Sequence, residues 1–409
     1  MLSSTPPHLH VAVPLMDELE NLPTLVECLN QQTYRNFCVY ICVNQPDSWW
    51  EDSYKVHVCQ SNQSTIEHLQ TIEYPPITII DRSSRGQGWD AKHQGVGYAR
   101  KTLFDTILQT ASDGDIIASL DGDSSFSPSY FSSLTEQFSQ KPYISAIAVP
   151  YFHPLSGNET TDRSLLRYEI YMRHYLINML LIGNPYAFTA IGSAMAFRVE
   201  AYKRGGGITP LRGGEDFYLM QKLCKTGNVS VFNKEIMYPI GRPSQRVPFG
   251  TGPAVMKSLA ELDASYPFYA TESFQKVRQT FGLFHALYEN DLPTPMTDFL
   301  CQQLKTDNLW GPLRKNFKTR ELFAKACSER VDGLRILQFL KSEHRQGTSE
   351  RNFAEFCSAN GIELPRAFSF EKTPVEQLGE VRNLLFEKEM ALRKKHDSRF
   401  LSNDNKKKC

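Results

Sequence analysis

The stretch that most constrains the chain is Ile116-Ile117-Ala118-Ser119-Leu120-Asp121-Gly122-Asp123-Ser124-Ser125. A short apolar run leading straight into polar residues is the pattern of a buried parallel strand. In open α/β sheets, ligands bind at the carboxyl ends of the strands. Two aspartates on a glycine-centred turn at such an end offer hard oxygen ligands to Mg2+ or Mn2+, a cation that commonly also holds substrate phosphates. A polar turn with no ligand is the plain alternative for this segment taken alone.

The preceding chain supplies the rest of such a sheet. His10-Val11-Ala12-Val13-Pro14 reads as a first strand stopped by its proline, because proline gives a central ladder no N–H. Leu22, Leu25, Val26 and Leu29 then recur at helical spacing. Phe37–Val43 and Ile77–Ile80 read as further strands. Between them, residues 48–74 show no clean period and are expected to be an insertion. A helix is expected from about Ala91 to Thr110, another opening at Ser127-Pro128, and a strand over Ile144–Val149. Strands alternating with helices argue for a mostly parallel sheet covered on both faces.

Beyond Pro150 come a long Tyr-, Leu- and Arg-rich helix over Ser164–Ile182 and a short strand over Ala194–Phe197. Glu215-Asp216 then heads a helix ended by Gly227, and a strand follows over Val229–Phe232. Arg242 and Arg246 lie in a Gly/Pro-rich loop. From about Pro253 the pattern is helical, with Leu322–Lys341 and Val375–Lys395 the clearest stretches.

Composition excludes several classes. The 409 residues carry 45 basic and 45 acidic side chains, so nothing marks a nucleic-acid binder. Nine cysteines without paired spacing argue against a disulfide scaffold or a zinc ribbon. Met1–Pro7 is polar, and the apolar run Tyr175–Ile182 is far shorter than the ~20 residues of a membrane span, so no leader and no transmembrane segment are expected. A cytoplasmic protein is the reading. Lys394-Lys395 and Lys406-Lys407-Lys408 form a small basic tail, with attraction to an anionic inner membrane face as the lesser reading.

Several ordered motifs together resemble family 2 glycosyltransferases. Val13-Pro14-Leu15-Met16-Asp17-Glu18-Leu19-Glu20-Asn21-Leu22-Pro23 looks like the family's opening strand and loop. Gln32-Thr33-Tyr34-Arg35-Asn36-Phe37 is similar to its approach to the second strand. Ala91-Lys92-His93-Gln94-Gly95 stands where the family has Ala-Arg-Asn-x-Gly. Asp113 through Asp123 with Pro128, then Gly192–Arg198 and Gly213-Gly214-Glu215-Asp216, resemble its Asp-x-Asp segment, acceptor-side strand and catalytic Glu-Asp.

The resemblance covers about residues 9–232. It implies a GT-A Rossmann-like nucleotide-diphospho-sugar transferase fold over 1–252, with a nucleotide half at about 9–125 and an acceptor half at about 126–252. A mainly helical region follows over 253–409. The implied reaction is transfer of one sugar, with inversion, from a nucleotide-diphosphate sugar to a hydroxyl of a glycan or lipid-linked acceptor. Asp123 would hold Mg2+ or Mn2+, Asp121 would bind the ribose of the nucleotide or share the metal, and Asp216 would act as general base, with Glu215 its neighbour if the register slips. Pro14, Asp17, Glu18, Asn44 and Lys92 would line the nucleotide pocket, with Arg242 and Arg246 as a lid over pyrophosphate. Each of these residues is also an unremarkable loop or helix-entry residue when read by itself.

The departures are specific. Asn44-Gln45 stand where the family's second strand ends Asp-Asp, which leaves the uridine-type base preference open; an Asn carbonyl still accepts an N–H. No histidine lies between Asp216 and His285 to complete metal coordination as in many GT-A enzymes, so the resemblance leaves the metal to Asp123 and the phosphates. The Gln-x-x-Arg-Trp of processive synthases and their membrane helices are missing, which favours addition of a single sugar. A nucleotide-sugar-binding scaffold without turnover is the non-enzymatic alternative. Leu120–Ser125 also nearly fits the Asp-x-Asp-x-Thr/Val of haloacid-dehalogenase-type phosphatases, but three strands precede it and Ser125 occupies the Thr/Val place. A sugar-nucleotide pyrophosphorylase would open with a basic glycine-rich loop, whereas this loop, Asp17–Glu20, is acidic.

Overall fold

The computed structural model describes residues 6–244, 246 and 250–407, the side chains of 399–407 excepted. Gln245, most of the Met1–Pro7 segment and the lysines Lys406–Lys408 of the basic tail therefore lie outside the described residues, in whole or in their side chains. The chain divides into two compact units, Met1–Asp162 with Thr189–Met256, and Arg163–Phe188 with Lys257–Cys409.

The first unit is built on strands β1 (Leu9–Leu15), β2 (Phe37–Asn44), β3 (Ile77–Arg82), β4 (Ile116–Ser119), β5 (Ser124–Phe126), β6 (Ile144–Ala148), β7 (Met195–Arg198), β8 (Asn228–Ser230) and β9 (Met237–Pro239). Seven of them form one sheet in the order β3-β2-β1-β4-β7-β6-β8, and β5 pairs with β9 apart from it. Only β7 runs antiparallel to its neighbours. The α/β class with a mostly parallel sheet is as expected.

Helices α1 (Leu22–Asn30), α2 (Val56–Gln70), α3 (Val96–Ile107) and α4 (Tyr130–Gln140) cover the sheet. Leu22, Leu25 and Leu29 of α1, Leu69 of α2, and Phe131, Leu134 and Phe138 of α4 bury against Val11, Val13, Val39 and Ile41. On α3, Phe104 packs on Phe197 at 5.3 Å between ring centres. Strands covered on both faces are largely apolar, and β1 is buried at every position with His10 its one polar side chain.

Pro14 does not end β1, which pairs with β2 through Leu15. The carbonyl of Ala12 accepts from the N–H of Leu120 on the β4 side. Pro14, two residues on, faces that same side, where β4 has already ended, so its missing N–H costs no ladder bond.

The segment 48–74 is no loose insertion. It holds a short 3-10 turn, Asp47–Glu51, and then α2, the crossover that a parallel β2–β3 connection requires. Its period is blurred because polar Asn62 and Thr65 share the buried face with Val58 and Leu69.

The helix expected from Ala91 begins at Val96, because the carboxylate of Asp90 accepts the N–H groups of Lys92 and His93 and holds that stretch as a turn. The helix expected at Ser127-Pro128 likewise starts at Tyr130, and the strand expected over Val229–Phe232 is Asn228–Ser230. The β5–β9 pair has no counterpart in the sequence reading.

The second unit is helical. Helix α5 (Glu159–Leu181) leads into it, burying Tyr168, Tyr171 and Tyr175, so its aromatic residues are core. The stretch Leu322–Lys341 is two helices, Arg320–Arg330 and Gly333–Glu343, the second capped by Asp332 accepting from the N–H of Arg335. The last helix, Val375–Lys407, runs beyond the expected Lys395. Within this unit Arg173 pairs with Glu169 and, at 2.9 Å, with Glu389, which also takes Arg393 at 2.6 Å. No described helix is long and apolar enough to cross a membrane.

Candidate functional site

The strand order sets where the site lies. From β1 the chain winds outward to β2 and β3, then returns to place β4 on the other side of β1. The loops leaving β1 and β4 therefore part from each other, and such a switch point is where open α/β sheets bind ligands. The loop after β1 carries Asp17 and Glu18, and the loop after β4 carries Asp121 and Asp123. Gly122 between the aspartates is sterically required: a Cβ there would stand 2.4 Å from Leu15 Cδ2 and 3.1 Å from Glu18 Cγ.

The centre of the site is a residue the sequence reading passed over. Arg100 on α3 is only 3% exposed at its side chain. It donates through Nη2 to Asp121 Oδ1 at 2.5 Å, through Nη1 to Glu215 Oε1, and through Nε to Ser119 Oγ at 3.3 Å. Burial disfavours its charge, but Asp121, Glu215 and Asp216 more than offset this and hold the guanidinium ionised. Gly192 makes room for it, since a Cβ there would stand 2.0 Å from Nη2. A signal existed: Arg100 shares the buried stripe of α3 with Leu103, Phe104 and Ile107, and a lone cation on an apolar stripe implies buried acids.

Helix α6 (Val199–Arg204) follows β7, and α7 (Glu215–Thr226) brings the Glu-Asp pair. The connecting segment lies against α3 at Gly97, where a Cβ would meet the Leu211 carbonyl oxygen at 2.1 Å. Gly214, with φ +78°, turns the chain into the helix. The two acids then separate. Glu215 is 2% exposed and committed to Arg100. Asp216 is partly exposed; one oxygen accepts from the N–H of Phe217 at 2.7 Å. Burial, and then the charge of Glu215, push the Asp216 carboxyl up to about 7 against the pull of Arg100.

Asp123 sits among like charges. Burial, then Glu18 and Asp121, raise its carboxyl to about 7, with Arg242 and Arg246 acting in the other direction. Arg242 Nη2 lies 3.5 Å from Asp123 Oδ2 and also donates to Glu18 Oε1. Arg246 Nη1 donates to the same Glu18 oxygen at 2.8 Å and to the Met16 carbonyl at 2.5 Å. Asn21 completes the Glu18 carboxylate at 2.7 Å. Both arginines thus stand over the acidic loop. A small pocket of about 60 Å³ beside Asp123 is lined by Asn21, Thr24, Gly122, Asp123, Ser124, Ser125 and Ile240.

The remaining expected residues are placed less directly. Asn44 is buried; its carbonyl oxygen accepts from the Trp89 indole at 3.1 Å and its amide donates to the Leu15 carbonyl at 2.9 Å. Asp17, exposed and at φ +57°, is held through its N–H by Asn62 Oδ1 at 2.8 Å. Aspartate tolerates that backbone better than most residues. Pro14 lies inside β1, and Lys92 is exposed in the turn before α3, where the neighbouring Ala91 carbonyl accepts from Arg212 at 2.9 Å. Among the described residues, no hydrogen bond or ion pair joins Lys92 to Asp121 or Asp123, and its N–H is given to Asp90.

The family model described as Glycosyl transferase family 2 matches residues 10–206. No curated protein sequence matches the chain. Among solved structures the chain is similar to residues 1–349 of S. aureus TarS in complex with UDP-GlcNAc, at 12% identity and TM-score 0.41 over 96% of this chain and 92% of that one. It is also similar to the mannosyltransferase PcManGT from Pyrobaculum calidifontis in complex with GDP-Man and Mn2+, at 12% identity and TM-score 0.37 over 95% and 88%. A third similar structure is GalNAc-T7 with UDP, GalNAc and Mn2+, at 12% identity and TM-score 0.38 over 78% and 56%.

Proposed function

Because the chain belongs through residues 10–206 to glycosyl transferase family 2, and is thereby a nucleotide-sugar glycosyltransferase, we propose that it moves one sugar to an acceptor hydroxyl by direct displacement, with Asp216 as the base. The carrying observation is that one buried guanidinium, Arg100, gathers the Asp-x-Asp loop and the head of α7 around the switch point. Glu215 spends its carboxylate on Arg100, which leaves Asp216 as the acid able to face a substrate. The acceptor oxygen attacks the anomeric carbon, the bond from that carbon to the pyrophosphate oxygen breaks, and Asp216 takes the hydroxyl proton. One displacement without a covalent intermediate inverts the anomeric centre.

The donor set around Asp123 is all oxygen, which suits Mg2+ or Mn2+ rather than a softer metal. Asp123 and the second oxygen of Asp121 would hold the ion, which supplies charge neutralisation to the departing pyrophosphate. Arg242 and Arg246 would exchange Glu18 for phosphate oxygens, which a guanidinium grips bidentately. Glu18 would then be the resting partner of the lid, with Asp17, Pro14 and Lys92 around the nucleotide.

A uridine nucleotide is the first donor to try. The base would have to be read by groups besides the Asn44 side chain, which is committed to Trp89 and Leu15. The acceptor is a glycan or a lipid-linked sugar, approached from the Asp216 side. The eight described cysteines are all free, which agrees with a reducing cytoplasmic compartment. Contact with the inner membrane face remains the lesser part of the reading.

Calorimetric titration of UDP, GDP and other nucleoside diphosphates, with and without Mn2+, tests the site. One of them binding in a metal-dependent way that Asp123→Ala abolishes supports the reading. Binding that ignores both metal and Asp123 contradicts it.

A further inference from the structure

At the amino ends of β1 and β2, away from the carboxylates, stands a cluster that sugar transfer does not use. Residues two apart on an extended chain share a face, so His8 and His10 point the same way. His10 lies beside Cys38 in the β1–β2 register. His8 Nε2 is 3.2 Å from Cys38 Sγ, and His10 Nδ1 is 3.5 Å from the same sulfur. The three ligating atoms all lie within 4.8 Å of one another. Ligands of a tetrahedral zinc ion, bound at about 2.3 Å for sulfur and about 2.0 Å for nitrogen, stand roughly 3.6 Å apart. Both sulfur–nitrogen edges are close to that spacing.

The far side of each ring makes the stronger case. His8 Nδ1 meets Asn36 Oδ1 at 2.8 Å, and His10 Nε2 meets Asp115 Oδ2 at 3.4 Å. Asp115 is itself fixed by the N–H groups of His8 and Ser112, at 3.3 and 2.8 Å. Each outer nitrogen facing an oxygen acceptor carries its ring's proton, so each inner nitrogen aims a lone pair at one sulfur. A thiol has one proton and satisfies only one of them. A cation satisfies both, and metal-bound histidines commonly give their second N–H to a carboxylate or carbonyl in this manner.

We propose that His8, His10 and Cys38 form a binding site for a thiophilic divalent cation, Zn2+ by preference, separate from Asp121 and Asp123. On binding, the Cys38 thiol gives its proton to solvent and its sulfur bonds to the metal, with no change of oxidation state; a water takes the fourth position. Thiolate and imidazole select this ion, whereas the oxygen-only donors of the transfer site select Mg2+ or Mn2+. The metal would tie the starts of β1 and β2 to the turn before β4.

The experiment is titration of the metal-stripped full chain with Co2+, read by the near-ultraviolet thiolate-to-cobalt band and by metal content. Expected is one equivalent with the band, displaced by Zn2+, absent in Cys38→Ser and unchanged in Asp123→Ala. Asp115→Asn should weaken binding about 10-fold or more. If Cys38→Ser fails to fold by circular dichroism, His8→Ala, at a partly exposed residue, decides by losing or weakening the band. Absence of the band in the wild type, or a band surviving in folded Cys38→Ser or unweakened in His8→Ala, overturns the proposal.

Discussion

Asp121 and Glu215, from different elements of the sheet unit, are joined by a single cation: Arg100 donates to both through the two Nη atoms of one guanidinium. Removing that cation strands Glu215, which is 2% exposed, as a buried uncompensated charge. Arg100→Met is expected to destabilise the fold by about 3–5 kcal/mol in urea unfolding. Arg100→Met with Glu215→Gln should recover part of that loss, because the stranded charge is gone. A mild effect of Arg100→Met alone would mean the pair is not the tie described.

Gly192→Ala acts on the same guanidinium from the outside. The added methyl would stand 2.0 Å from Arg100 Nη2, so the arginine must move. Overpacking of this kind costs about 1–3 kcal/mol. Thermal unfolding and donor turnover should fall together in this variant, since the displaced group positions both acidic segments.

Asp216→Asn is expected to lower kcat by about 10²–10⁴-fold while leaving the KM for donor little changed, as for loss of a general base. The pH profile carries the sign. A base must be ionised, and this carboxyl is raised to about 7, so kcat falls as pH drops below about 7 and levels off above it. For stability the direction reverses. The folded chain holds this proton more tightly than the unfolded one, so the group's stabilising contribution is present at pH below the ordinary carboxylate value and is lost as pH rises through about 7.

Arg242→Ala and Arg246→Ala test the lid. Each arginine stands on Glu18 in this structure. If they transfer to pyrophosphate, either variant should weaken nucleoside-diphosphate binding about 10-fold, a difference of about 1.4 kcal/mol, and leave nucleoside binding unchanged. Equal weakening for nucleoside and diphosphate would assign the arginines to loop structure alone.

Much of this organisation could be read from residue order. The strands β1, β2 and β4 are largely apolar runs because both sheet faces are covered there, β3 is a partly buried edge strand, and the Asp-Gly-Asp turn after β4 marks the switch point. Three things were hidden for physical reasons. Helix α2 buries Asn62 and Thr65, which blurs its period. Pro14 is harmless in β1 only because β4 has already ended beside it, a fact of register rather than of local sequence. Arg100 is an ordinary helix residue until the fold sets Asp121 and Glu215 against it from distant parts of the chain. The roles of Arg242 and Asn44 were opaque in the same way: each depends on a partner, Glu18 or Trp89, that only the fold supplies.

The most direct test of the central claim is turnover of a panel of nucleotide-diphosphate sugars with Mn2+ or Mg2+, by wild type, Asp123→Ala and Asp216→Asn. The account predicts that at least one donor is cleaved or transferred by the wild type, that added chelator stops this, and that neither variant retains the activity. Full turnover by folded Asp216→Asn, or turnover indifferent to chelator and to Asp123→Ala, would contradict it.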